Sequence, residues 1–270
     1  MRPSSHRLDV NFGRIADGYS QYRGGFPLAL FDRIESHYGA TLAGQYVLDM
    51  GCGTGALANE LAARHSYVTA IDLSENMIAQ ASRRAEREGV TVMYRCASAE
   101  ATGLRQESFD LVTAGRCWHW FDRPKVAAEA RRVLRKRGML VICHFDRVRG
   151  ADGDLVAATQ ALVERHNPAW AQAPPQRFGL GVGIYAQWLG DMREAGFGDL
   201  ETFSFDVTVS YTHETWRGRV RSSGGVGGSL GPEAVARLDE ELGELLSARF
   251  SHEPVAVTQR VFCAMGRRPG

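Results

Sequence analysis

The chain has 270 residues, 44% of them apolar and 23% charged, with a formal net charge of +1. That apolar share suffices for one sizeable core or a core with a small subdomain, and it excludes global disorder. Lysine occurs only at Lys125 and Lys136, and neither has the context of a Schiff-base or phosphate-loop lysine.

No run of eighteen apolar residues is present, so no membrane span is expected, and the polar first 18 residues do not read as a secretory signal. The five cysteines (Cys52, Cys96, Cys117, Cys143, Cys263) are odd in number and form no C-x-x-C pair, which suits a reducing cytoplasm. Residues 46–50 predict a short buried strand running into glycines. Residues 56–65 follow as a helix, with Leu57, Ala58, Leu61 and Ala62 on one face. A second strand spans 67–72. Ser74 caps the next helix, which has Glu75 in its first turn and runs to about Arg87. Strands are expected near 90–96 and at 109–114. Asp122 and Pro124 open a helix that Gly138 closes. Residues 139–145 are almost wholly apolar, as in a strand covered on both faces.

Beyond Arg147 the pattern changes. A helical stretch at 154–165 precedes a loop through Pro168, Trp170, Pro174 and Pro175. A helix is expected at 185–195, an extended segment at 197–209, an amphipathic helix at 232–250 and a last strand at 255–265. Strands alternating with helices predict an α/β domain around a parallel sheet. One domain is expected, with its core at about 41–146, 185–210 and 254–267. Segments 1–40, 147–184 and 211–253 would fold over the strand ends as a cap.

The sharpest signal is Val47-Leu48-Asp49-Met50-Gly51-Cys52-Gly53-Thr54-Gly55, a strand running into three glycines and then a helix. Gly51 permits a tight turn, Gly53 lets a ligand approach the backbone, and Gly55 lets the helix pack near the strand. Asp72 ends the second strand, where an acid accepts hydrogen bonds from ribose hydroxyls. The turn also satisfies the looser G-x-G-x-x-A form through Ala56, so an NAD(P)-dependent oxidoreductase is the physical alternative. Against it, Asp49 precedes the first glycine where a pyrophosphate would be repelled, and no Tyr-x-x-x-Lys pair exists.

The stretch V-L-D-M-G-C-G-T-G resembles the nucleoside-binding signature of class I S-adenosylmethionine-dependent methyltransferases, as does A-I-D-L-S-E-N-M. C-A-S-A-E-A-T-G-L and F-D-L-V-T-A-G resemble the third and fourth motifs. W-H-W-F-D is similar to an element of a small-molecule subgroup. The resemblance covers residues 46–145 well, is weaker at 19–27, and is only topological beyond Arg147. It implies a Rossmann-like doubly wound sheet, mostly parallel with an antiparallel last strand, and a helical cap. It also implies S-adenosyl-L-methionine as cofactor, with Tyr22, Arg23, Asp49, Gly51, Gly53, Gly55, Asp72, Leu73, Met77, Ser98, Ala99, Glu100 and Gly115 about it. Asp49 would meet the amino end of the cofactor, Arg23 its carboxylate and Met77 the adenine. Many relatives carry an Asp where Ser98 stands, so the adenine amino group would fall to the Ala99 backbone, with Ser98 and Glu100 beside it.

Methyl transfer needs alignment and exclusion of water, and a base only for a protonated acceptor. His119, directly after the fourth strand, and His144, at the end of the fifth, are the candidate catalytic residues, although each reads more readily as a hydrogen-bonded loop or strand-end histidine. Tyr19, Arg116, Trp120, Tyr185 and Trp188 are candidate acceptor-pocket residues; Trp170 and Trp216 line the pocket or fill the core of the cap. The glycine-rich residues 222–229 lack a phosphate-loop ending and read as a mobile cap loop. No metal-ligand spacing occurs. The near-zero net charge and the Ala114-Gly115-Arg116-Cys117 sequence argue against a nucleic-acid substrate. The reading is cytoplasmic methylation of a small, partly apolar acceptor, in bacterial specialised metabolism on the arginine-rich composition and the cap insertions. A non-catalytic S-adenosylmethionine-binding module is the other alternative, and the oligomeric state is left open.

Overall fold

The computed structural model describes residues 10–39, 41–148, 155–173 and 182–270; Asp154, Pro174 and Pro175, read above, lie outside them. Strands β1 (Tyr46–Met50), β2 (Tyr67–Asp72), β3 (Val92–Cys96), β4 (Phe109–Gly115), β5 (Leu134–Arg147), β6 (Gly198–Tyr211) and β7 (Val255–Arg267) make one sheet in the order β3-β2-β1-β4-β5-β7-β6. Pairings from β3 across to β5 are parallel, and β7 runs antiparallel between β5 and β6. This is the doubly wound sheet with an antiparallel last strand that the sequence predicts. The chain reverses its direction of travel across the sheet at β1 and β4, so their carboxyl ends flank the crevice where such sheets bind ligands.

Alternate residues of the central strands enter two cores. Val47, Leu111, Val141, Cys143 and Val261 face one side, which α2 (Leu28–Tyr38) and α3 (Ala58–Ala63) cover through Leu30, Phe31, Ile34 and Leu61. Leu48, Val112, Leu140, Ile142 and Phe262 face the other side, covered by α5 (Arg123–Val133) and by α7 (Gln187–Glu194) through Trp188 and Met192. Period-two alternation in strands buried on both faces is what apolar runs such as 139–145 require. Helix α4 (Glu75–Glu88) packs on β2 and β3 and is capped by Ser74, whose hydroxyl accepts from the Met77 amide at 3.3 Å.

A third core lies in the cap. Trp170, Trp216, Val220, Leu238, Leu242 and Leu246 bring together α6 (Leu155–His166), α8 (His213–Arg221) and α9 (Pro232–Arg249) over the ends of β6 and β7. Helix α1 (Ala16–Tyr22) leans on α8.

Four expectations are corrected here. Residues 28–38 cover the sheet as α2 instead of joining the cap. Gly138 does not close a helix: α5 ends at Val133, and Leu134 already pairs with Phe109. A Cβ on Gly138 would lie 3.0 Å from the Asp110 carbonyl oxygen, so this glycine serves a close strand crossing. Helix α8 was not read from the sequence, although Thr212 caps it by accepting from the Thr215 amide at 3.2 Å. Finally, the glycine-rich turn is packed. Val226 is fully buried, Asn167 donates to the Gly225 carbonyl at 2.9 Å, and a Cβ on Gly225 would overlap the Trp170 ring. Gly224 and Gly225 thus allow close approach to an indole, and Gly227 to the Arg221 carbonyl.

Candidate active site

A cavity of about 1000 Å³ opens at the carboxyl ends of β1 and β4 and reaches under the cap. Its size is at the upper end of the range for small-molecule sites, which leaves room for a nucleoside and a second molecule. One half is built on the glycine turn. Asp49 sits at the end of β1 in register with Thr113 of β4, whose hydroxyl donates to its Oδ1 at 2.7 Å. Burial pushes the Asp49 carboxyl up to about 7, the Thr113 hydrogen bond opposes this and the Asp72 charge adds to it. Asp72 is fixed by two backbone amides, accepting from Gly53 at Oδ2 and from Ser74 at Oδ1, both at 2.9 Å. Burial raises its carboxyl, and those amides work against the rise. Each oxygen keeps acceptor capacity, and Asp72 lines the cavity.

Gly53 has φ +54°, and a Cβ built there meets no protein atom within 4 Å. Its backbone therefore faces open space, the cradle the sequence assigns to a ligand. Leu73, Met77, Ser98, Ala99, Glu100, Gly51 and Gly115 complete this half. Glu100 binds the Ser98 hydroxyl at 2.5 Å and the Asp122 amide at 3.1 Å. Burial works against its ionisation, but these donors hold its carboxyl below the usual range.

The other half faces the cap. His119 and His144 are 5.5 Å apart between ring centroids and both line the cavity. Burial drives both imidazoles down, His144 to about 4 and His119 well below its ordinary value with His144 adding to the effect. Both rings are neutral at pH 7. Among the described residues neither Nδ1 has a hydrogen-bond partner. Around them stand Tyr19, Arg23, Arg116, Trp120, Trp170 and Thr159. Arg23 lies 4.6 Å from the Tyr19 ring centroid. Burial raises the Tyr19 hydroxyl, but Arg23 and Arg116 outweigh it and lower the group.

The structure brings together most of the residues singled out by sequence, with four exceptions. Tyr22 lies outside the cavity: its ring occupies the space a Cβ on Gly218 would need, and its hydroxyl reaches Glu214 at 3.4 Å. Gly55 also lies outside, wedged where a Cβ would come within 3.0 Å of Asn59. Tyr185 and Trp188 stack at 4.4 Å within the sheet core, behind the two histidines instead of in the pocket. Arg116 does line it, but its guanidinium donates to the carbonyls of Phe145 at 3.0 Å and Gly24 at 3.3 Å, tying the N-terminal segment to β5. Asp146, Arg147, Thr159 and Gln160 were missed. The first two directly follow the apolar run of β5, at the strand end where ligands bind, so their signal was present.

This crevice is that of a Rossmann-like nucleoside-binding domain with a second chamber under a cap. Residues 48–142 match the methyltransferase domain family. A malonyl-[acyl-carrier protein] O-methyltransferase of a Paenibacillus species is 30% identical over 68% of this chain and 65% of its own length. A ubiquinone biosynthesis O-methyltransferase of Coxiella burnetii is 32% identical over 42% of this chain and 52% of its own. The phosphoethanolamine N-methyltransferase 2 of Haemonchus contortus, solved in complex with S-adenosyl-L-methionine, shares the fold with a TM-score of 0.56 at 20% identity, covering 94% of this chain and 57% of that one. The chain thus spans between half and two thirds of these curated relatives. Residues 48–142 are thus a methyltransferase domain of the kind found in class I S-adenosylmethionine-dependent methyltransferases, whose cofactor is S-adenosylmethionine. The chamber fits that group: a buried carboxylate for an ammonium at Asp49, an open backbone at Gly53 and a strand-end acid at Asp72. Among the described residues no helix is long and apolar enough to cross a membrane.

Proposed function

We propose that this chain transfers a methyl group from S-adenosylmethionine to a small-molecule acceptor in the cytoplasm. The observation that carries this reading is the continuity of one cavity from the Asp49–Gly53–Asp72 cradle to the chamber lined by His119, His144 and Trp120. Bound in the cradle, the cofactor supplies a methyl group already activated on a sulfonium, so the protein's task is alignment and exclusion of water. Asp49 pairs with the amino group, Arg23 with the carboxylate, Asp72 with the ribose hydroxyls, and Leu73 and Met77 flank the base beside the Ala99 amide. Tyr19 presents an aromatic ring near the positive sulfur. The His119 and His144 rings, neutral at pH 7, line the acceptor chamber and orient the acceptor there. A chamber that reaches under the cap favours a small molecule over a nucleic acid, in bacterial specialised metabolism.

Equilibrium dialysis against S-adenosylmethionine and NADH, followed by detection of S-adenosylhomocysteine release over an acceptor panel, tests this. Retention of NADH alone refutes the cofactor, and cofactor binding without release on any acceptor supports a non-catalytic module. Asp72→Ala is expected to weaken S-adenosylhomocysteine binding by about 1–3 kcal/mol, through lost hydrogen bonds to a charged acceptor. Equal calorimetric affinity would remove Asp72 from the site. His119→Ala is expected to lower turnover by about 10²-fold, the order expected when an acceptor is misplaced by about 1 Å, with cofactor affinity unchanged. Wild-type turnover in that variant would leave His119 a structural residue.

A further inference from the structure

The cap end of the cavity holds more positive charge than its own carboxylate balances. Asp146 accepts from Arg219 Nη2 at 2.6 Å on Oδ1, and Arg147 Nε lies 3.4 Å from the same oxygen. Burial works against ionisation of Asp146, yet Arg219, Arg147 and Arg23 hold its carboxyl well below the usual range, so it carries a full negative charge. Arg23, Arg116 and Arg147 line this end of the wall; Arg219 stands behind them, 4% exposed, its Nε without a hydrogen-bond partner among the described residues. His119 and His144 are neutral and add nothing. A sulfonium in the other half adds further positive charge. Like charges gathered away from water are costly unless an anion joins them.

The guanidiniums have different duties. Arg116 is held by backbone carbonyls, Arg219 does not reach the cavity, and Arg23 is assigned to the carboxylate of the cofactor. Arg147 lines the chamber beside Thr159 and Gln160, with its guanidinium 5.6 Å from the Trp216 centroid. Burial, with Arg219 and Arg23 adding to it, lowers its pKa to about 10 against the pull of Asp146, so an added anion relieves it. The neighbouring wall is apolar: Trp120 and Trp170 lie 6.2 Å apart, near Val163 and Val220.

We infer that the acceptor carries a carboxylate, held by Arg147, on an apolar body seated against Trp120 and Trp170. This rests on the proposed cofactor half, and the test separates the two. The full chain loaded with S-adenosylhomocysteine is titrated calorimetrically with matched acids and primary amides: phenylacetate, indole-3-acetate, octanoate and their amides. At least one acid is expected to bind about tenfold tighter than its amide. That preference should fall to within about twofold in Arg147→Gln and return in part in Arg147→Lys, with S-adenosylhomocysteine affinity of both variants as in wild type. No acid preferred over its amide, a preference that survives Arg147→Gln, or a phosphate ester of the same framework bound more tightly than the acid would each overturn the carboxylate assignment alone. Failure of wild type to bind S-adenosylhomocysteine overturns the cofactor reading, and this inference with it.

Discussion

Gly53→Val is expected to abolish binding of S-adenosylhomocysteine while leaving a folded protein. A Cβ at residue 53 meets no protein atom within 4 Å, so the isopropyl group projects into the space assigned to the cofactor. The backbone φ of +54° adds strain for a β-branched residue, of order 1–3 kcal/mol, which lowers thermal stability without preventing folding. Binding suffers far more, because the added atoms occupy the volume through which a nucleoside reaches the backbone. Gly51 offers no such separation. Its Cβ would lie 2.8 Å from the Phe121 ring and 3.0 Å from the Cys117 sulfur, so a substitution there tests packing. Calorimetry with S-adenosylhomocysteine and a thermal melt together decide the matter: retained affinity in a folded Gly53→Val protein would move the cofactor away from this turn.

The contrast between these glycines shows what a sequence encodes locally. The strand, turn, helix and terminal acid from Tyr46 to Asp72 were legible because each rests on short-range rules: a buried β run, positive-φ glycines and a strand-end carboxylate. The register that sets Thr113 against Asp49 is a long-range fact, and only the folded sheet shows that this acid is buried and titrates near neutral pH. The same limit explains the misplaced aromatics. Tyr22, Tyr185 and Trp188 have the composition of a pocket wall, but whether a ring faces a cavity or a core depends on which helix packs opposite it. Tyr22 meets α8, and Trp188 meets Tyr185 and Phe262. The Asp146–Arg219 pair joins β5 to a cap helix 73 residues further along the chain, beyond any window of periodicity. The glycine-rich residues 222–229 make the converse case, since small residues that read as slack in a sequence are what allow an indole to pack tightly.

S-adenosylhomocysteine affinity is expected to rise with pH between about 5 and 8, and Asp49→Asn should remove most of that rise. Burial raises the Asp49 carboxyl to about 7, so in the free protein it is mostly protonated below neutrality. An ammonium placed against it favours the charged form, and binding therefore releases a proton. Each pH unit well below the titration lowers the ionised fraction about tenfold, giving roughly a fiftyfold gain in affinity from pH 5 to pH 7, about ninetyfold by pH 8, and a plateau above. The sign for folding is opposite. An unfolded aspartate titrates near 3.9, so between about 4 and 7 the free folded chain binds more protons than the unfolded one. Stability from this group is full below pH 4 and is lost as pH rises through 7. Affinity should thus increase over the same window in which the unliganded protein loses stability, a combination that general acid unfolding does not produce. Titrations in buffers of differing ionisation enthalpy measure the released proton directly. A pH-independent affinity, or a proton count unchanged in Asp49→Asn, would mean that Asp49 does not face the amino group and that the carboxylate serves only its bond to Thr113.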